Sequence, residues 1–166
     1  ASESIASPQI RSVGTVGGNL NQRPRCWYYR NEFADCLKKG GSICYASNGR
    51  NKYNAILGGG PSYIVHPSDL APALVALDAS VVLTGPGGTR EVSVEDYYYL
   101  PGEGPIAKET VRADDELLTA INIPAQPAGL RSTYLKFKER ASYDFALSAV
   151  AIALAGPNDS MTHARL

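Results

Sequence analysis

The sequence has 166 residues, 44% of them hydrophobic, and its 16 basic residues balance 16 acidic ones. This length suits one domain or parts of two. The neutral charge gives no electrostatic footprint for nucleic acid or an anionic membrane surface. No apolar run approaches the roughly 20 residues that cross a bilayer, so no membrane span is predicted.

The compartment is left open by the sequence. The chain does not begin with a charged segment followed by an apolar stretch, so no signal peptide is visible. The chain has three cysteines, a small and odd number that does not suit a disulfide framework. This count favours a reduced setting or a metal-linked role. The cytoplasm is therefore favoured over the periplasm.

The first 60 residues divide into two regions. Residues 1–22 predict a helix that leads into a glycine-rich loop, 14–19. Residues 23–60 show no sustained period, contain all three cysteines and end at a run of three glycines. Long segments of this kind are typical of functional insertions or cofactor loops.

The remaining chain is more regular. Leu70, Ala73, Leu74 and Leu77 follow a 3.6-residue period behind Ser68-Asp69, which predicts a capped helix, and Ser93 is placed to cap a second, short one. A turn at 156–160 would join the last two strands. Helices and strands segregate irregularly, which predicts the α+β class. The predicted strands are 79–84, 91–94, 117–123, 134–138, 148–154 and 161–166.

The glycine loop is a candidate phosphate site. Its glycines allow positive φ and a close approach of backbone amides to an anion. Thr15 and Asn19 add hydrogen-bonding side chains. The loop does not match G-x-G-x-x-G, and a tight structural turn is an equally good interpretation of the residues alone.

The cysteines are a candidate metal site. Cys26, Cys36 and Cys44 are separated by nine and seven residues, unlike the paired spacing of structural zinc sites. Nearby arginines and lysines favour thiolates and a negatively charged cluster. Buried or incidental thiols are the alternative.

Three segments together resemble one family. PQIRSVGTVGGNL (8–20) resembles the second flavin-binding loop in the medium FAD subunit of xanthine dehydrogenase-like molybdenum hydroxylases, IVHPSDLAP (64–72) resembles its SDL-x-P segment, and KFKERASYDFA (136–146) resembles the entry to its third subdomain. The resemblance implies part of a PCMH-type FAD-binding domain at 1–125, with a cysteine-containing insertion at about 23–60. Residues 131–166 would begin a C-terminal domain like that of the CO dehydrogenase flavoprotein.

The resemblance also implies the residues that hold FAD. The loop residues would line its pyrophosphate and adenosine side, and Asp69 would bind the adenosine ribose. Leu118 and Lys136 would lie near the flavin. Without the family match, Asp69 is a helix cap and the lysine is a solvated charge. The implied residues are Thr15, Gly17, Gly18, Asn19, Asp69, Leu118 and Lys136.

A further cofactor is implied for the insertion. Some members, such as 4-hydroxybenzoyl-CoA reductase and certain bacterial aldehyde oxidoreductases, carry a [4Fe–4S] cluster there on four cysteines, and 23–60 resembles that insertion. Cys26, Cys36 and Cys44 match three ligands, whereas Ser62 occupies the fourth position. Cluster iron usually takes four thiolates, so the hypothesis covers an intact, labile or degenerate site.

The implied function is that of an electron-transfer subunit. A molybdenum-cofactor subunit would hydroxylate substrate, a [2Fe–2S] subunit would carry electrons to FAD here, and an external acceptor would take them. Both ends of the chain look cut and the family's first glycine-rich loop is absent from it, so we expect weak or no FAD binding by this polypeptide alone. The alternatives are a non-redox nucleotide- or phosphate-binding module and a small zinc-binding protein.

Overall fold

A computed structural model describes residues 1–58, 60–157 and 159–166. Gly59, in the predicted glycine run, and Asn158, in the predicted turn, lie outside the described residues. The chain divides into two compact units, each described separately below. The first unit comprises Ala1–Leu20, Ser68–Tyr97 and Arg112–Leu166, and the second comprises Asn21–Pro67 and Tyr98–Val111.

Two short helices open the first unit. Helix α1 spans Pro8–Val13, with Pro8 at its first position and Ser7 as the N-cap that accepts a hydrogen bond from the Ile10 amide. Helix α2 spans Val16–Leu20 and buries Leu20 completely. The predicted helix before the glycines is confirmed, but the glycine segment itself is largely helical.

Helix α4 and the first sheet form the middle of the first unit. Helix α4 (Leu70–Ala76) turns Ala71, Leu74 and Ala76 inward, as its periodicity predicts. Three antiparallel strands pair in the order β2-β1-β3. Ser93 caps the short helix α5, as predicted, by accepting from the Asp96 amide at 2.9 Å. The elements are β1 (Ser80–Gly85), β2 (Gly88–Ser93), α5 (Val94–Tyr97) and β3 (Leu117–Asn122).

A second antiparallel sheet completes the first unit. Strands β4 (Arg131–Phe137), β5 (Ser148–Ala155) and β6 (His163–Arg165) pair in that order. Ala76 of α4 and the alanines Ala151 and Ala153 of β5 form a buried cluster. Small side chains at this contact let the helix lie close to the sheet. The predicted pairing of the last two strands is confirmed, as is the α+β class.

The second unit has little regular structure. Helix α3 (Trp27–Arg30) is its one α-helix among the residues described, beside two single 3₁₀ turns, Leu37–Lys39 and Tyr45–Ser47. A buried ion cluster stabilises its interior. The Glu109 carboxylate lies 2.6 Å from Nε of Arg23 and 3.2 Å from Nζ of Lys38. Lys38 also donates to the Lys108 carbonyl at 2.7 Å, so its buried ammonium keeps two partners.

Candidate cofactor site

The glycines of α2 lie at the surface of the first unit, where Gly17 is half-buried and Gly18 is exposed. Thr15 caps the helix, because its Oγ1 accepts a hydrogen bond from the Gly18 amide at 2.9 Å. A Cβ on Gly18 would lie 2.9 Å from that same oxygen, closer than real side chains approach. A Cβ on Gly17 would lie 3.8 Å from Cδ2 of Leu118 on β3. Glycine therefore avoids a clash with Thr15 at position 18, and at both positions it leaves the backbone without a covering side chain.

One of the two predicted reasons for these glycines, positive φ, is wrong, whereas close approach of their amides to an anion stays a prediction. Gly14, Gly17 and Gly18 do not have positive φ values, which elsewhere in the described chain occur at turn glycines such as Gly88 and Gly156. The helical backbone of α2 removes the need for that conformation. Close packing accounts for Gly14 and Gly18 instead, since a Cβ on Gly14 would lie 3.0 Å from the Ile10 carbonyl oxygen, but it does not account for Gly17.

A hydrogen bond links the glycine surface to helix α4. Ser68 Oγ donates to Oδ1 of Asn19 at 2.6 Å and accepts from the Ala71 amide at 3.1 Å. Ser68 is therefore the N-terminal capping side chain of α4. Asp69 makes no such bond, so its alternative interpretation as a helix cap is wrong.

Asp69 is instead the acceptor of a buried polar network. Its Oδ2 lies 2.7 Å from Nζ of Lys136, and its Oδ1 accepts from the Tyr134 hydroxyl at 2.7 Å. Lys136 also donates to the carbonyl of Ser4 at 3.0 Å. The Lys136 side chain is only 3% exposed, which excludes the alternative of a solvated charge. Burial and the Asp69 carboxylate raise the pKa of Tyr134, so Tyr134 stays a neutral donor.

The structure brings the seven residues predicted for FAD to one region of the first unit. Helix α2 contacts both α4 and β3. The Ser68–Asn19 hydrogen bond joins α2 to the start of α4, next to Asp69, and the ion pair joins Asp69 to Lys136. The open backbone at Gly17 and Gly18 suits close approach by a cofactor. A carboxylate has about four lone-pair sites, so Asp69 retains acceptor capacity after its two internal bonds. These residues fit FAD.

The cysteines are not gathered in the same way. Cys36 is buried, whereas Cys26 and Cys44 are partly exposed. Cys26 lines one cavity of the second unit, and Ser62, 2% exposed, lines another. Within the part of the chain that the structure describes, no three His, Cys, Asp or Glu side chains are placed to hold a metal ion. This arrangement does not fit a cluster that needs four thiolates.

Several polar residues of these sites were missed at the level of sequence. Ser68 was assigned only to a shared capping pair, and neither Tyr134 nor the Lys38–Glu109 pair was singled out. The partners lie 49 to 71 positions apart along the chain. The one available signal was the Ser68-Asp69 dipeptide before an apolar period, which predicts a cap but not the long-range partners.

The first unit thus has an α+β fold in which the glycine-containing helix α2 contacts strand β3. The sequence profile of the FAD-binding domain in molybdopterin dehydrogenase matches residues 1–126. The chain belongs to this family.

Known proteins with similar sequences are consistent with that assignment. The chain is 40% identical over 158 residues to the aldehyde oxidoreductase FAD-binding subunit PaoB of Escherichia coli K12, covering 93% of this chain and 49% of that one. It is 34% identical over 151 residues to the carbon monoxide dehydrogenase medium chain of Afipia carboxidovorans, covering 90% of this chain and 35% of that one. The chain therefore spans half or less of these relatives.

A solved structure supports the fold. The chain superposes on a chain of the reconstituted CO dehydrogenase from Oligotropha carboxidovorans with a TM-score of 0.62 and 28% identity, covering 98% of this chain and 40% of that one. Among the described residues, no helix is both long and apolar enough to cross a membrane.

Proposed function

We propose that this chain forms part of the flavin-carrying subunit of a molybdenum-containing dehydrogenase. The observation that carries the proposal is the open backbone at Gly17 and Gly18, facing Leu118, inside the segment matched by the family. When bound, FAD supplies the redox chemistry, and the protein supplies binding, orientation and electrostatics.

Each predicted residue has a proposed task in holding FAD. The amides and side chains of Thr15 to Asn19 hold the pyrophosphate and adenosine side, with close approach allowed where Cβ atoms are missing. Asp69 accepts a ribose hydroxyl in addition to its internal bonds. Leu118 packs near the flavin end. Lys136 acts through Asp69, because its ammonium is committed to that carboxylate and to the Ser4 carbonyl.

The partners follow from the class of enzyme. A subunit with the molybdenum cofactor oxidises the substrate, a [2Fe–2S] subunit passes the electrons on, and an external acceptor receives them from the flavin bound here. The names of the relatives, an aldehyde oxidoreductase subunit and carbon monoxide dehydrogenase medium chains, support this arrangement. Residues 1–125 as part of the FAD domain, and 131–166 as the start of the next domain, remain a prediction.

Gly17→Ala tests the flavin site. Alanine is favoured over glycine within a helix by about 0.5–1 kcal/mol, and its Cβ meets Leu118 only at an ordinary contact distance of 3.8 Å. We expect FAD affinity to fall about tenfold, equivalent to about 1.4 kcal/mol, while thermal stability is unchanged or raised. The measurement is FAD titration of the full-length subunit, followed by flavin absorbance, alongside thermal unfolding.

Gly87→Ala is the matched control for this experiment. Gly87 lies in the turn between β1 and β2, and no atom lies within 4 Å of a Cβ placed there. Its FAD affinity should equal that of the wild type. Equal FAD binding by the Gly17→Ala variant would contradict the proposed site, and a full-length protein that binds no FAD would contradict the proposed function.

The cysteine segment is proposed to be a degenerate form of the [4Fe–4S] insertion. Ser62 occupies the fourth ligand position, and Cys26 and Ser62 line separate cavities. We expect anaerobic reconstitution of the full-length subunit with iron and sulfide to leave no cluster bound in stoichiometric amount. Analysis of iron and acid-labile sulfide provides the measurement. Four irons and four sulfides per subunit, lost in a Cys36→Ser variant, would overturn this part of the proposal.

A further inference from the structure

The second unit contains a cavity of about 390 Å³, within the range of small-molecule sites. It is formed by the start of α3 and by residues 49–54, both within the cysteine segment. Three cationic side chains line it, those of Arg25, Arg50 and Lys52, and the lining residues that the structure describes include no carboxylate. This composition favours an anionic ligand with more than one negative charge.

Aromatic rings form another part of the wall. Trp27 and Tyr53 meet edge to face, with ring centroids 6.1 Å apart and an interplanar angle of 64°. Nζ of Lys52 lies 5.3 Å from the Tyr53 ring centroid, which is a cation–π contact. Trp27 remains 54% exposed, so it offers surface for stacking against a planar group. Nucleobases stack on aromatic side chains of this kind, because every base has a π-face.

Hydrogen bonds hold this wall in place. The Arg50 amide donates to the Tyr28 hydroxyl at 2.7 Å, and Tyr28 stacks on Tyr45 with ring centroids 5.4 Å apart. A side chain on Gly49 would clash with the same hydroxyl. Asn54 Nδ2 donates to the Tyr63 carbonyl at 3.0 Å. The cationic and aromatic groups are thus carried on a backbone that is fixed at several points.

We propose that this cavity binds an anionic ligand with an aromatic ring, of the nucleoside diphosphate class. The arginine guanidinium groups match the geometry of phosphate oxygens, and Trp27 supplies a stacking face for the base. All residues that line the cavity belong to the second unit, whereas all residues proposed for FAD belong to the first. The two sets of lining residues therefore have no member in common.

Titration of the flavin-loaded full-length protein with ADP tests this proposal. Trp27 is the single tryptophan of these 166 residues, so the fluorescence that a Trp27→Phe variant lacks reports on the cavity. We expect ADP to quench this fluorescence, and Arg50→Gln to raise the dissociation constant about tenfold through loss of a charge-assisted contact. Arg30→Gln is the matched control, because this exposed arginine lies on α3 outside the cavity lining.

Two further ligands and one variant separate the contributions. Adenosine without phosphate and pyrophosphate without a base should each bind about tenfold more weakly than ADP, as expected if both parts are recognised. Gly17→Ala should lower FAD affinity and leave quenching by ADP unchanged, which separates this site from the proposed flavin site. The proposal is overturned by an absent response of Trp27, by unaltered affinity in Arg50→Gln, by adenosine or pyrophosphate binding as tightly as ADP, or by loss of quenching in Gly17→Ala.

Discussion

Replacement of Asp69 by alanine is expected to lower the free energy of unfolding by about 3–5 kcal/mol, the range for removing one partner of a buried ion pair. The Lys136 ammonium, 3% exposed, would remain buried without its carboxylate. Tyr134 would also lose the acceptor that lies 2.7 Å from its hydroxyl. Urea unfolding of the purified protein, followed by far-ultraviolet circular dichroism, gives the free energy.

The position of the network explains the size of this effect. Asp69 immediately precedes α4, whereas Lys136 and Tyr134 lie on β4, and Lys136 also reaches the Ser4 carbonyl near the N-terminus. The Asp69–Lys136 ion pair and its hydrogen bonds therefore join three segments of the first unit that are distant in sequence. Hydrogen exchange of the β4 and β5 amides should accelerate in the Asp69→Ala variant, since local protection depends on the stability of the surrounding structure.

Two further variants make the result specific. The double variant Asp69→Leu/Lys136→Met removes both charges and should recover part of the lost stability, because no unpaired ion stays buried. Arg140→Gln removes an exposed arginine 3.7 Å from Asp144 and should change stability little. An Asp69→Ala protein that unfolds at the same urea concentration as the wild type would contradict the role assigned to the network.

The fold of the first unit was largely predictable because its signals are local. Alternating side chains mark β4, the Gly85 to Gly88 turn marks the β1–β2 hairpin, and Ser93 marks α5. Each signal depends on residues within one strand, one turn or one helical turn. The boundaries of the two compact units were not predicted, because each unit joins segments that are separated in the sequence.

The candidate site was predicted less completely for the same physical reason. Composition pointed to Gly17 and Gly18, but whether a glycine serves positive φ or close packing depends on neighbours such as Thr15, which crowds position 18. Asp69 was selected through resemblance, while its partners across 65 and 67 positions were not. Hydrogen bonds between distant segments leave no periodic trace in a single sequence.

The second unit should become less stable as the pH falls from 6.5 towards 4, because of His66. Burial is the main cause that lowers the pKa of His66 from 6.5 to about 4, and the positive charge of Lys38 lowers it further, although a hydrogen bond that the ring donates to the Gln22 backbone raises it. The ring packs on Tyr98 with centroids 4.5 Å apart. His66 and Tyr98 line a cavity of the second unit, and the charged groups that line this cavity are Lys38, Lys108 and Glu109.

The direction of this effect follows from proton binding. Between pH 4 and 6.5 the unfolded chain binds a proton at His66 that the folded protein does not, so acid favours unfolding. The stabilisation is complete above pH 6.5 and is lost as the pH falls through that interval. At about 1.4 kcal/mol per pKa unit, the loss reaches about 3 kcal/mol near pH 4.

Trp27, the single tryptophan of these 166 residues, lies in the second unit, so the fluorescence that a Trp27→Phe variant lacks measures this dependence. Urea unfolding at a series of pH values should show stability falling below pH 6.5 in the wild type. His66→Phe keeps a ring against Tyr98 but cannot bind the proton, so its stability should vary less over the same interval. His163→Phe, which removes the other histidine, lies in the first unit and should leave the Trp27 transition as in the wild type. If His66→Phe retained the full pH dependence, protonation of another group would have to account for the acid sensitivity, and the buried neutral histidine would not be its source.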